Sequence, residues 1–432
     1  MPDINPEAKT LNDILQRHNP ALFQLLSQRG KSIYFPQKGL VRQGMEARGK
    51  RINATVGMAI ENGGLPMRLA AMDQCHNLDP KDVYPYISSY GKPPLREAWR
   101  NMIRQNNPSL EGTVSLPVVT SGLTHGLSMV GYLFVDSGDE IIITDKYWGN
   151  YKLIFEQACG GVLRPYTMFR NSGLDLGSLR QSLKKKTGKQ IVLFSVPNNP
   201  TGYTPTDEEA RQIVQIITES AEAGNQILVI NDDAYFGLAY GDGVFTESLF
   251  SLLADAHENV LAVKVDGATK ELYSWGLRVG FVTMSAKGMT EEVCRALEDK
   301  IAGAVRGNIS SASHISQTLV LAALTSPDYQ QDKEAKYQIL KKRFEEAAAI
   351  LKDKQDTFGE YFSPLPFNSG YFLCLKLKDG IDAETVRQIL LKDFDTGVVA
   401  MQGLLRIAFS SVPKSDIPDL FDNIYRACQQ TQ

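Results

Sequence analysis

Between residues 60 and 310, short β-branched runs alternate with stretches whose apolar residues recur every three to four positions. The first pattern predicts strands and the second amphipathic helices. Strands are expected over 140–144, 190–196, 226–231, 260–265 and 277–283, and helices over 94–105, 123–135, 206–223 and 290–302. Such alternation argues for an α/β fold with a mostly parallel sheet covered on both faces. Before it, 7–29 reads as one helix, followed by an extended arm that starts at Phe35-Pro-Gln-Lys-Gly-Leu. After it, a long helical pattern runs from Ser311 to about Lys354 with a break near Ser326-Pro327. The remainder predicts a strand over 370–376, a helix over 383–392, a strand over 404–410 and a helix over 417–429, a small α+β unit. No internal repeat or low-complexity segment interrupts this order.

Composition narrows the picture. The chain has 432 residues, enough for two domains with large cores. Its net charge is −3 with both signs interspersed, so no nucleic-acid partner is expected. The one dense basic run, Lys184-Lys185-Lys186, reads as a solvated helix end. Five scattered cysteines without a CxxC pair argue for a reducing compartment and against a disulfide framework or zinc site. No metal is expected. The N-terminal residues are polar and no apolar run is long enough to cross a membrane, so a cytoplasmic protein with no membrane partner is expected.

Several separated motifs carry chemistry. Thr120-Ser-Gly-Leu-Thr-His-Gly126 follows an apolar run and opens a helix, where free backbone N–H groups face an anion. Tyr147-Trp148-Gly-Asn-Tyr151 offers an aromatic face to stack on a flat ring, or a core aromatic. Ser195-Val-Pro-Asn-Asn199-Pro-Thr-Gly202 ends a buried strand; it is either a plain turn or a place for Asn199 to donate a hydrogen bond. The apolar strand through Ile230 ends in Asp232 and Asp233, and a buried carboxylate needs a partner. Lys270 is followed eight residues later by Arg278, with Trp275, Gly276, Val279, Gly280 and Phe281 crowding the segment. A lysine forms an imine with an aldehyde, an arginine fork grips a phosphate, and an aspartate holds a pyridine nitrogen protonated. Arg406 sits inside an otherwise apolar strand, which is rare without an anion to pair with.

In this order the motifs resemble those of class I aminotransferases of the fold-type I pyridoxal-phosphate superfamily, the aspartate aminotransferase family in particular. The resemblance implies a seven-stranded, mostly parallel sheet flanked by helices, with a smaller α+β domain. It divides the chain into an N-terminal helix and arm (1–55), a large cofactor-binding domain (56–312) and a small C-terminal domain led by the bridging helix (313–432). It implies pyridoxal 5'-phosphate held as an imine by Lys270. Gly122, Leu123, Thr124 and Arg278 would bind its phosphate, Trp148 would stack on its ring with Tyr147 in reserve, and Asn199 and Tyr235 would bond its ring oxygen. The pattern Asp-x-Ala-Tyr selects Asp232 over Asp233 for the ring nitrogen. Gly57 would lie over the substrate and Arg406 would grip its α-carboxylate. From the partner subunit of a homodimer with shared active sites, Tyr86 would reach the phosphate, and Arg306 with Ser310 would bind a distal carboxylate. Asn199–Pro200 is a candidate cis peptide by the same resemblance.

Three departures stand out: Lys146 replaces a common proline, Gly267 replaces a hydroxyl residue that binds phosphate, and the residues after Ser310 lack Asn-Pro-Pro. The expected activity moves an amino group between an amino acid, such as aspartate or glutamate, and a 2-oxoacid such as 2-oxoglutarate. The cofactor motifs serve equally a lyase, decarboxylase or cyclopropane-forming synthase, and the fold also serves non-enzymatic regulators, although no helix-turn-helix domain precedes it here.

Overall fold

The computed structural model describes residues 4–36, 39–73, 78–184 and 187–431. Cys75, Lys185, Lys186 and the arm residues Gln37 and Lys38 lie outside them. A seven-stranded sheet forms the centre. Its strands run in space Val118–Thr120, Gly280–Ser285, Val260–Gly267, Gln226–Asp232, Lys189–Ser195, Glu140–Thr144 and Val162–Tyr166. Gly280–Ser285 pairs antiparallel with both its neighbours; every other pairing in the sheet is parallel. The inner strands are buried and mostly apolar, with Lys264 and Asp266 among the exceptions, because helices cover both faces. Two covering helices start where the sequence supplies a cap. Thr206 and Glu209 close a reciprocal capping box at Asp207–Glu222, and Thr290 caps Glu291–Ile309.

A second sheet has the order Phe362–Pro364, Phe372–Leu377, Leu404–Ala408, Val399–Met401, all antiparallel. Helices Ala383–Asp393 and Ile417–Gln429 accompany it, the latter burying Ile417, Leu420, Phe421, Ile424, Ala427 and Cys428 at helical spacing. His314–Leu324 and Tyr329–Asp353 form the long helical stretch, broken around Ser326-Pro327 as expected. The turn after the central strand Lys189–Ser195 comes very close to the second sheet at Gly202. Gly202 has φ +71, and a Cβ there would overlap the Phe372 carbonyl oxygen. Only glycine meets both demands.

Four expectations need correction. The single helix over 7–29 is three: Pro6–His18, Pro20–Leu25 and Gln28–Ser32. Pro20 has no N–H to continue the first, so Asn19 turns extended and its side chain caps the second instead. The strand expected over 277–283 begins only at Gly280, because Arg278 is left-handed at φ +54 and Leu277 N–H closes a turn onto Ser274. The strand Val162–Tyr166 escaped the pattern because it is an edge strand carrying exposed Arg164 and Pro165. The cis peptide is Val196–Pro197, not Asn199–Pro200. Asn199, Pro200 and Thr201 lie inside a helical-type turn closed by Gly202 N–H onto Asn198 O, which trans peptides build.

Candidate active site

The parallel strands end in a common edge, and there a cavity of about 380 Å³ opens between the two sheets. Lining it are Gly57, Leu123, Thr124, Trp148, Asn199, Asp232, Tyr235, Lys270, Arg278 and Arg406. Residues expected at the site from opposite ends of the chain thus share one space.

At one end is an anion cradle. Gly122 takes φ +78 as it opens the helix Gly122–Phe134, leaving the first-turn N–H groups without helical partners. A Cβ on Gly122 would stand 2.5 Å from the Arg278 guanidinium, so the arginine lies directly against the turn. Gly267 explains itself here: a Cβ would meet Val279 O at 2.6 Å and Gly280 Cα at 2.8 Å, leaving no room for a hydroxyl side chain. Thr269 lines the cavity instead, and its Oγ1 is buried with no hydrogen-bond partner. A helix opened by a left-handed glycine, an arginine and an orphaned hydroxyl together fit a phosphate.

Lys270 stands mid-cavity on the short helix Ala268–Glu271, its Nζ 5.1 Å from the Tyr235 ring centre. Burial depresses its amine to about 8, Arg278 adding to the effect and Asp232 opposing it. Asp232, 3% exposed, ends its strand facing the cavity. Burial raises its carboxyl above the usual range, against the pull of Tyr151 and Lys270. Its Oδ2 accepts from Tyr151 Oη at 2.5 Å and its Oδ1 from Ala234 N at 3.2 Å. Asp233 points elsewhere and is engaged by Lys264 and Ser248. Burial likewise raises the Tyr235 phenol, with Arg406 opposing.

The two asparagines divide their work. Asn198 Oδ1 accepts from Thr201 N and Oγ1 and holds the turn. Asn199 faces the cavity, where its Oδ1 accepts from Arg406 Nη1 at 3.3 Å. Arg406 is 4% exposed on a strand paired on both sides, not on an edge. Its Nη2 donates to Thr55 O at 3.0 Å, its guanidinium lies 4.3 Å from the Phe372 ring centre, and its Nε is buried without a partner.

A sequence model of the family described as "Aminotransferase class I and II" matches residues 65–424, well over half of the chain. The chain belongs to this family. Among other class I and II aminotransferases, a probable aspartate/prephenate aminotransferase of Aquifex aeolicus is 29% identical over 246 residues, 56% of this chain. The chain spans 57% of that relative's length. The solved structure of an aminotransferase from Anaerococcus prevotii superposes with a TM-score of 0.82 over 94% of this chain and 99% of its own, at 22% identity. LysN, an α-aminoadipate aminotransferase of Thermus thermophilus solved with N-(5'-phosphopyridoxyl)-L-leucine, superposes with a TM-score of 0.73. That superposition covers 95% of this chain and 99% of LysN at 20% identity, and it carries the fold.

In this family member two expected residues stay outside the cavity of the single chain. Tyr86 is 98% exposed. Arg306 is exposed in the last turn of Glu291–Ile309. Tyr147, the reserve for stacking, is not among the lining residues, whereas Trp148 is. Sequence reasoning passed over Thr55, Ser195, Trp275, Phe372, Leu40 and Val41, which also line the cavity, and above all Tyr151. Tyr151 was visible three residues after Trp148, but only the strand geometry shows that its hydroxyl meets Asp232.

Proposed function

We propose that this protein is a pyridoxal-phosphate-dependent aminotransferase that moves an amino group from an amino acid to a 2-oxoacid. The observation that carries the reading is the buried Arg406 guanidinium, with its orphaned Nε, in the same cavity as Lys270 and Asp232. A buried arginine with unfilled donors suits a carboxylate, which it binds through two parallel N–H donors.

When bound, pyridoxal phosphate supplies an aldehyde for an amine to attack and a ring that draws electron density from the substrate carbon. The Gly122 turn, Arg278 and Thr269 Oγ1 would hold the phosphate, the last in place of the hydroxyl that Gly267 cannot carry. Trp148 would cover the ring, and Asn199 and Tyr235 would bond its oxygen. Tyr151 favours the ionised form of Asp232 against the effect of burial, and Asp232 would face the ring nitrogen. Arg406 fixes the α-carboxylate, with Gly57 over the substrate, and so sets which substrate bond faces Lys270. The Lys270 amine, depressed to about 8, would then take the proton from the substrate α-carbon and hold it on Nζ.

We read the chain as an N-terminal arm (1–55), a large domain (56–312) and a small domain (313–432), working as a cytoplasmic homodimer. Tyr86 reaches the partner's phosphate, and Arg306 reads a distal carboxylate there, which makes aspartate or glutamate the preferred donor and 2-oxoglutarate an acceptor. The test is amino-group exchange between a panel of donors and 2-oxoglutarate or pyruvate. Exchange with accumulation of the donor's oxoacid is expected; release of ammonia or carbon dioxide without exchange would overturn the reading in favour of a lyase or decarboxylase.

A further inference from the structure

Behind the site a second charged group is buried that the chemistry above does not use. In the strand Val260–Gly267, Val265 points toward the helix opened by Gly122. Lys264 and Asp266 therefore point to the opposite layer. Lys264 has no exposed surface. Its ammonium pairs with Asp233 and lies 3.4 Å from Asp266 Oδ2. Ser248 Oγ donates to Asp233 at 2.6 Å, and Trp99 Nε1 donates to Asp266 Oδ1 at 3.0 Å. The Phe236 ring closes the remaining side, 4.3 Å from the ammonium.

The placement of these groups is what matters. Asp233 directly follows Asp232, and Asp266 directly precedes the Gly267 turn that delivers Lys270. Asp233 N–H also donates to Val265 O at 2.9 Å. Lys264 therefore ties together the ends of two adjacent strands, one carrying Asp232 and the other leading to Lys270. Stability does not account for such a cluster: apolar residues of the same volume serve a core as well or better than buried ions. What a lysine between two carboxylates provides is a fixed separation, because each partner loses its compensating charge when it moves.

We propose that Lys264 is a positioning residue for amino transfer, clamping Asp233 to Asp266 and so fixing the separation of Asp232 from Lys270. The inference rests on the roles proposed for Asp232 and Lys270. Lys264 opposes the loss of charge that burial imposes on its partner Asp266. Burial pushes the Asp266 carboxyl up to about 7, with Lys264 opposing and Glu271 and Asp233 adding. Burial works against charge on Lys264 too, but Asp233, Asp266 and Glu271 outweigh it and raise its amine.

Lys264→Met and the double variant Lys264→Met/Asp233→Asn test this in the cofactor-loaded protein. The double variant removes opposite charges together and leaves only Asp266, which burial already inclines to protonate, so it should keep the fold even where the single variant does not. Its expected kcat is lower by about tenfold or more, with KM for donor and acceptor within about threefold. The pH midpoint of the bound cofactor's absorbance change should also move by about half a unit or more. A double variant with the parent's kcat or an unmoved midpoint would overturn the proposal, leaving the pair as mutual neutralisation of buried charge. Lys270→Ala and Asp232→Ala are measured alongside. If they keep turnover, the reading of the site has failed; if they lose it and the double variant does not, only the clamp has failed.

Discussion

Tyr151 donates its hydroxyl to Asp232 across 2.5 Å, and neither side chain reaches solvent to any useful extent. Burial and the Asp232 charge both hold the Tyr151 phenol well above its ordinary value, so it remains a donor throughout the working range. Without it, little offsets the rise that burial imposes on the Asp232 carboxyl except Lys270 and the Ala234 N–H. Tyr151→Phe should therefore lower kcat/KM by about ten- to a hundred-fold, the worth of one hydrogen bond to a charged group, about 1.5–3 kcal/mol. Steady-state kinetics at several pH values would check it, and the deficit should grow as pH falls.

Lys270→Ala should keep the cofactor weakly through phosphate contacts and lose amino transfer altogether. Asp232→Ala should raise the barrier by several kcal/mol, on the order of 4, because the ring nitrogen loses its counter-charge. Single-turnover absorbance measurements separate the two, and near-normal turnover in the Lys270 variant would remove that residue from its assigned role.

The Lys270 amine is pulled down to about 8 by burial. Below that pH it is mostly protonated and cannot attack an aldehyde; above it the free amine predominates. The rate at which cofactor-free protein takes up pyridoxal phosphate should climb about tenfold per pH unit below the midpoint and level off above about 8. A rate that kept climbing to the ordinary lysine value near 10.5 would show that the amine is not depressed.

Arg306→Ala should cost about 3 kcal/mol in kcat/KM for aspartate and glutamate, since a carboxylate left unpaired at a dehydrated site is expensive. Neutral donors should be little affected. Equal losses for both classes, measured with purified protein, would show that Arg306 does not read the side chain.

Mixing inactive Lys270→Ala subunits with inactive Tyr86→Ala subunits should restore activity in heterodimers, one intact site in each. Tyr86 is almost wholly exposed in the single chain, so a fully active monomer in sedimentation would contradict the shared site.

The inner strands were legible because buried parallel strands read as mostly apolar runs, expected over 226–231 and 260–265 and observed over 226–232 and 260–267. The choice of Asp232 over Asp233 rested on a motif alone. The structure supplies a physical counterpart, since Asp233 is occupied by Lys264. The partnership of Tyr151 with Asp232 was not legible: the residues lie 81 positions apart, and no local pattern encodes where a tyrosine hydroxyl ends. The departure at Gly267 was readable, but its cause is the close approach of Val279 and Gly280, which no local pattern encodes.

The contact at Gly202 has a consequence for how this protein could change its diet over evolution. Asn199 belongs to one sheet's turn and Arg406 to the other sheet, and they meet within 3.3 Å because bare backbone meets bare backbone at Gly202 and Phe372. A single methyl group there would act as a shim between Asn199 and Arg406, the residues proposed to grip the ring and the carboxylate. Loops at the cavity mouth are free to drift toward new side chains, while that seam would tie every such substrate to the α-carboxylate anchor proposed for Arg406.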